Sequence, residues 1–348
     1  MRIPAALIIA SLLAATSGAS DRYYPGADWA RTKMADAHLD PAKLQAAFDY
    51  ALSQNSLGLM VLKGGRITAE QYAPSWGPDK LHSLASATKS MTALLVGMAL
   101  EEGKLKSLDQ PMTDFAPWWK GTDKEGITLR HMLSMSSGLD QKNVDLMSPR
   151  DQFENNSRMP LEAKPGVLWE YNTAAYHMLF RVLEKATGDN LEAYAARKLF
   201  APIGMEHYAW QKQKSGAVTN YYRLDSCARD MARFGLLALR GGEWKEKRLV
   251  SEQFVRLATS PSQPMNPSYG LLWWVNAKPG RAAGAAGGQV SVRFPGAPAD
   301  TFAALGAGNQ IIVVIPSLDL VIVRQGGQPK DRDFVAKFVR LALEAARP

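Results

Sequence analysis

Ser86-Ala87-Thr88-Lys89 is the one place in the chain where a serine stands three residues before a lysine. Residues three apart share a face of a helix, so the ammonium can lie beside the hydroxyl. A serine hydroxyl is a poor nucleophile until a base removes its proton. A buried lysine can be that base, because burial lowers its pKa from an ordinary value of about 10.4. A serine in the first turn of a helix also gains from the positive end of the helix dipole, which favours developing negative charge. Alone the motif is weak, since its two free positions let it recur by chance, and the plain alternative is an exposed helix start with a surface lysine. The neighbours argue against that alternative. Leu84, Ala85, Met91, Ala93, Leu94, Leu95 and Val96 surround the motif with apolar side chains. A helix apolar on all sides is buried, and a lysine inside it requires a partner or a function.

Tyr171 is the second candidate. It lies in Pro165-Gly166-Val167-Leu168-Trp169-Glu170-Tyr171-Asn172-Thr173, where a turn leads into a short aromatic segment and then a helix. A tyrosine near an ammonium has its phenolate favoured and can serve as a general base, whereas a lone tyrosine after a turn is otherwise simple packing. Trp169 is expected beside it as pocket lining. Tyr269, Trp273 and Trp274 fit either a cleft wall or packing between lobes. The histidines, at 38, 82, 131, 177 and 207, form no compact metal-binding spacing. His131 and His177 fall in helical apolar patterns and read as hydrogen-bonded core residues. Gly-x-Ser-x-Gly and P-loop patterns are absent. Asp225 and Asp230 flank a helix start, where capping or structural pairing is expected. No metal or organic cofactor is implied.

The elements that must position these groups follow from periodicity. Asp40-Pro41 starts a helix whose apolar face carries Leu44, Phe48 and Leu52. Residues 57–62 and 67–72 read as a hairpin around Gly64-Gly65. A helix is expected over 86–102, ended by Gly103, and further helices over 129–134, 176–187, 191–200 and 225–240. Residues 302–305, 311–315 and 320–323 are short apolar runs that read as buried strands, and 331–346 closes the chain as an amphipathic helix. Strands at both ends and helices between them imply an α+β fold. Its antiparallel sheet is assembled from both ends of the chain and flanked by helices, an all-helical lobe is inserted, and the site lies between the lobes. The expected divisions are an α/β lobe over about 40–110 and 225–348 and a helical lobe over about 111–224.

The chain has 348 residues, room for one large domain or two closely packed lobes. Its 41 basic and 33 acidic residues give a net charge of +8. No basic stripe interleaved with aromatics accompanies that excess, so nucleic-acid binding is not expected. Lys245-Glu246-Lys247-Arg248 reads as a solvated loop, and 284–288 as a flexible one. Cys227 is the only cysteine. An intramolecular disulfide is therefore impossible, and a small buried side chain is its expected role. Arg2, the apolar run 3–15 and Ser17-Gly18-Ala19 have the layout of a secretory signal peptide over 1–19. The expectation is export to the periplasm or medium as a single catalytic domain, 20–348. The run is short for a membrane span of ~20 residues.

Five segments, in order and spacing, resemble the serine β-lactamase and penicillin-binding-protein superfamily. They are Ser86 to Ser90, Ile127-Thr128-Leu129-Arg130-His131-Met132-Leu133-Ser134-Met135-Ser136-Ser137-Gly138-Leu139, the Pro165 to Thr173 segment, Ala228-Arg229-Asp230-Met231-Ala232-Arg233-Phe234-Gly235, and Tyr269-Gly270-Leu271-Leu272-Trp273-Trp274. The subgroup most similar is that of class C-type esterases and 6-aminohexanoate-oligomer hydrolases. The resemblance implies a β-lactamase/transpeptidase-like fold with Ser86 as acylated nucleophile, Lys89 as activator, and Tyr171 as base and later acid. It also implies an oxyanion hole formed by the N–H of Ser86 and one from a third-motif strand. Two departures bear on substrate. Thr173 stands where the family has the Asn of Tyr-x-Asn, with Asn172 offset by one. The third motif, placed near Leu305-Gly306-Ala307, lacks the Lys or His that helps β-lactam enzymes hold a substrate carboxylate. A small ester or uncharged amide is therefore the expected substrate. The alternatives are a catalytically weak relative binding wall peptides or a partner, and a D-Ala-D-Ala peptidase.

Overall fold

The structure, a computed structural model, describes residues 22–145, 152–212, 224–276, 280–281, 289–290 and 294–346. The expected signal peptide and the 284–288 loop lie outside the described residues.

Central strands buried on both faces build the layers. The main sheet has six strands: β1 Ser56–Lys63, β2 Arg66–Tyr72, β3 Trp274–Val275, β4 Phe302–Gly306, β5 Gln310–Ile315 and β6 Leu320–Gly326. Their order is β2-β1-β6-β5-β4-β3, every pair antiparallel. The N-terminal hairpin thus joins the C-terminal strands, with Met60 opposite Val323, and the sheet is made from both ends of the chain as the sequence implied. Successive side chains of a strand point to opposite faces. Leu59, Val61, Ile311, Val313 and Ile322 enter one core with Leu44, Phe48, Phe334 and Phe338. These last four belong to helices α1 (Pro41–Ser53) and α5 (Phe334–Ala345). Met60, Leu62, Ile312, Val314, Val321 and Val323 enter the other core, with α2 (Thr88–Glu101), α3 (Thr173–Thr187) and α4 (Ala228–Leu239).

Local chemistry fixes the helix ends. The Asp40 carboxylate accepts from the N–H groups of Ala42 (2.9 Å) and Lys43 (3.1 Å), and Pro41 opens α1. Gly235 lets α4 lie low on the sheet, since a Cβ there would fall 2.7 Å from Val321 and 2.8 Å from Ile312.

The structure departs from expectation in four places. The helix expected from Asp225 begins at Ala228, and Asp225 and Ser226 lie in a strand. The helix begun at Ser86 is a 3-10 turn over Ala85–Ala87 followed by α2 from Thr88. The helix over 191–200 is α only to Ala195 and a π turn over Ala196–Phe200. The charged run at 245–248 is not an open loop but part of a hairpin pairing Glu243–Trp244 with Lys247–Arg248. Its turn residues Lys245 and Glu246 both have positive φ, the geometry of a type I′ turn. A small sheet also joins His82–Ser83, Leu224–Ser226 and Tyr208–Trp210. Strands of two or three residues are too short to show a period.

Arg324, on β6, is fully buried without a carboxylate partner among the described residues. Its guanidinium donates to Ser56 Oγ (2.9 Å) and to the carbonyls of Gln54 (3.1 Å), Gly308, Asn309 (2.8 Å) and Gly327 (2.9 Å). It lies over the Phe334 ring at 4.8 Å. Desolvation lowers its pKa to about 10. One side chain thereby ties the β4–β5 turn to the start of β1. Arg324→Leu is expected to leave these acceptors unsatisfied and cost about 3 kcal/mol or more. Urea unfolding of the two proteins checks this, and an unchanged midpoint would refute it.

Candidate active site

The segment before Ser86 is fixed by pairing. His82 and Ser83 pair with Ser226 and Asp225, and Leu84 N–H donates to Leu224 O at 2.9 Å. Ala85 then takes φ +46°, a left-handed conformation costly for a residue with a Cβ. The strained residue turns the chain so that Ser86 sits half-exposed immediately ahead of α2. Lys89 follows one turn later, buried, and its Nζ donates to Ser86 Oγ at 3.2 Å. The structure therefore brings together the serine and lysine that the sequence paired.

Burial alone drives the Lys89 pKa down to about 7. Among the described residues no carboxylate pairs with it. Its Nζ lies over two aromatic faces instead, 5.0 Å from the Tyr171 ring centre and 4.4 Å from that of Tyr176. A lysine near pH 7 that is hydrogen-bonded to a hydroxyl is chemically able to take that hydroxyl's proton at neutral pH.

Tyr171 is held by the second matched segment. Glu170 N–H donates to Met135 O (2.9 Å) and Gly166 N–H to Ser136 O (2.8 Å). Asn172 Nδ2 donates to Leu139 O (2.6 Å). Gln141, which the sequence reading passed over, brackets the motif: its Nε2 donates to Tyr171 O (2.8 Å), and its Oε1 accepts from Thr173 N (2.8 Å) and Ala174 N (3.3 Å). Asn172 caps α3 by accepting from Ala175 N at 2.7 Å. Thr173 opens α3, and among the described residues its hydroxyl makes no hydrogen bond to Lys89 or Ser86.

On the other side, β4 lies directly against the nucleophile turn. A Cβ on Gly306 would fall 2.1 Å from Leu84 O and 3.2 Å from Ala87 N. Only a glycine permits that approach. Ala307 follows, exposed at the strand end. Leu305 requires a correction. By strand alternation its side chain packs in the core under α1 and α5, on the sheet face away from Ser86, so only its backbone can border the site.

The aromatic candidates divide. Tyr171 stacks on Trp274 (5.9 Å, 16°), and Trp169 meets Tyr269 (5.5 Å) and Trp274 (6.3 Å) edge-on. Trp169, Tyr171 and Trp274 remain partly exposed and form a wall, whereas Tyr269 is buried behind it. Trp273 stacks on Phe234 at 5.5 Å and is wholly core. Of the expected core histidines, His131 caps its own short helix through Thr128. His177 is buried on α3, and both desolvation and the Lys89 charge push its pKa well down.

Tyr176 was missed because it reads as an ordinary position on the apolar face of α3. His207, Cys227 and Asp230 also converge, their potential ligand atoms within 4.8 Å of one another. Asp230 Oδ2 already accepts from the backbone of Glu206 (2.9 Å) and His207 (2.6 Å), and Arg233 stands 3.6 Å from Oδ1. Burial raises the Cys227 thiol to about 12. The Asp230 oxygens are thus already engaged by backbone N–H groups and a guanidinium, which suits structural pairing.

The Beta-lactamase family profile matches residues 42–344, and the chain belongs to that family, whose members are typically serine hydrolases. It is 25% identical over 248 residues to the 6-aminohexanoate-dimer hydrolase of Paenarthrobacter ureafaciens, a match covering 62% of this chain and 63% of the relative. Among solved structures it is similar to a penicillin-binding protein homologue from Caulobacter crescentus, with a TM-score of 0.71, 16% identity, and 89% and 98% of the two chains covered. A family VIII carboxylesterase gives the same TM-score at 16% identity, covering 88% and 98%. The fold is thus the β-lactamase/transpeptidase-like one that the motif order implied.

Two outcomes follow from this geometry. Lys89 is protonated below pH 10.5 when unfolded but only below about 7 when folded. The unfolded chain binds the extra proton between those values, so this group's destabilisation is full below pH 7 and fades as pH rises toward 10.5. Lys89→Met should therefore stabilise the protein at pH 6, by on the order of 4 kcal/mol before relaxation, with the difference narrowing by pH 9. Denaturant midpoints at both pH values check this, and a gap that widens with pH would refute it. Gly306→Ala must move the strand or the Ser86 turn by about 1 Å, which should lower turnover roughly 100-fold without abolishing the fold. Steady-state kinetics alongside circular dichroism would show it.

Proposed function

We propose that the chain is a serine hydrolase that cleaves a small ester or uncharged amide through an acyl-enzyme on Ser86. The observation that carries this reading is the 3.2 Å bond between Ser86 Oγ and a lysine whose burial brings its pKa to about 7. In the proposed reaction Ser86 Oγ attacks the substrate carbonyl and its proton passes to Lys89. The resulting oxyanion is held by the N–H of Ser86 and an N–H at the Gly306–Ala307 end of β4. Collapse expels the alcohol or amine, which receives the proton from Lys89 with Tyr171 as relay. Water then attacks the acyl-enzyme as the same pair accepts its proton, releasing the carboxylic acid and regenerating Ser86.

The substrate class rests on what lines the cleft. Residues 302–310 contain no Lys or His, and the neighbouring wall is aromatic: Trp169, Tyr171 and Trp274. A neutral acyl group is matched by such a site better than a carboxylate is. Secretion remains proposed on the leader layout of 1–19.

A fluorophosphonate probe should label the wild-type protein at Ser86 and leave Ser86→Ala unlabelled. Short-chain p-nitrophenyl esters should turn over measurably and nitrocefin negligibly. Brisk nitrocefin hydrolysis without esterase activity would reverse the substrate ranking. A long-lived penicillin adduct on Ser86 would favour a D-Ala-D-Ala peptidase, and absence of labelling would favour a binding protein.

A further inference from the structure

Tyr176 stands five residues beyond Tyr171, on the first turns of α3, and is 1% exposed. Its ring face lies 4.4 Å from Lys89 Nζ, nearer than that of Tyr171 at 5.0 Å. Its orientation is fixed from α2: Tyr176 Oη and Thr92 Oγ1 are 3.0 Å apart, and Thr92 Oγ1 donates to Thr88 O at 3.3 Å. Either hydroxyl can donate to the other. Thr92 and Lys89 lie three apart on α2, so the helix that carries the lysine also anchors the ring beneath it. The Phe180 ring packs against Tyr176 at 5.0 Å and 80°, supporting it along α3.

The groups that act on the ammonium are Ser86 from the nucleophile turn, Tyr171 from the segment before α3, and Tyr176 and His177 from α3. Among the described residues no carboxylate acts on it, and Thr173 contributes no hydrogen bond to it. The buried ammonium, deprived of water, is left with one hydroxyl and two π faces. A ring face attracts a cation electrostatically, and more strongly where water is excluded.

We propose that Tyr176 is a positioning residue whose ring face holds the Lys89 ammonium beside Ser86. The inference rests on the reading of Ser86 and Lys89 as the reacting pair. The contact stabilises only the charged form, so it sets how far burial lowers the basicity of Lys89. Without the ring, Lys89 loses its proton at lower pH and is a weaker base once it has done so. With a carboxylate in place of the ring, Lys89 would stay protonated at neutral pH and accept nothing.

The test is the pH dependence of fluorophosphonate labelling at Ser86 in the full chain, with a neutral probe so that only the protein titrates. Wild type should show an acid limb near pH 7. Tyr176→Phe keeps the face, and its limb should stay within about 0.3 unit. Tyr176→Leu removes the face, and its limb should fall by about one unit, with a slower plateau rate above it. Phenylalanines carrying one, two and three ring fluorines at position 176 weaken the face without changing its shape, and should lower the limb stepwise. An unshifted Leu limb, a Phe limb that moves as far as Leu, or a flat fluorine series would each overturn the proposal. If Tyr176→Leu does not fold, the fluorine series, which opens no cavity, decides. Failure of wild type to label at all would instead overturn the hydrolase reading itself.

Discussion

A lysine ammonium stripped of water is the constraint around which the rest of this molecule is arranged. Keeping Lys89 dry requires that the helix bearing it be enclosed on every side, and α2 is buried from Thr88 to Ala99. Keeping its proton exchangeable requires that no acid pair with it. A neighbouring carboxylate would hold it in the charged form through neutral pH. Two tyrosine faces attract the ammonium enough to place it and too weakly to fix its charge. Burial and π contact thus act in opposite directions on one pKa, and burial is the larger effect.

The same requirement for precision at that point explains the supports farther out. Tyr171 arrives on a loop, and loops are the least rigid carriers of a functional group. Here the loop's backbone groups are satisfied one by one, by Met135, Ser136 and both ends of the Gln141 amide, and the Asn172 side chain is tied to Leu139 O. The strand on the far side is treated alike. Gly306 allows contact with the nucleophile turn, and Arg324 ties the turn after it to β1 by five donated hydrogen bonds. Both walls of the site are therefore held by polar side chains whose partners are mostly backbone atoms, which do not move without unfolding the elements that carry them.

How much of this could be read beforehand follows from what each feature imprints on sequence. Strand β5 announces itself because Ile311 to Ile315 is apolar on both faces, and α1 because Asp40-Pro41 is a helix start by its own chemistry. Ser86 and Lys89 were legible because a lysine inside an apolar helix demands an explanation. The 3-10 turn at Ala85–Ala87 was not, since the strain that makes it comes from β4 and the small sheet pressing on either side, contacts remote in sequence. Leu305 was assigned to the site by motif alone, and strand alternation places its side chain in the opposite core. Tyr176 and Gln141 look like a core aromatic and a loop amide, and nothing local tells what they touch. Arg324 reads as a charge interrupting a strand, because its five acceptors come from three different stretches of chain.

Of the two departures from the family pattern, the uncharged β4 bears on the charge balance around Lys89. In β-lactam enzymes a cation in the third motif helps hold the substrate carboxylate. Here β4 offers no such cation. An anionic group of a substrate bound at Ser86 would lie near the Lys89 ammonium, which is 3.2 Å from Ser86 Oγ. Its negative charge would favour the protonated lysine and raise the pKa that burial had lowered. Such a substrate would disable the base on arrival. A neutral ester or amide leaves the balance untouched, so the loss of the strand cation and the proposed neutrality of the substrate are two expressions of one electrostatic condition.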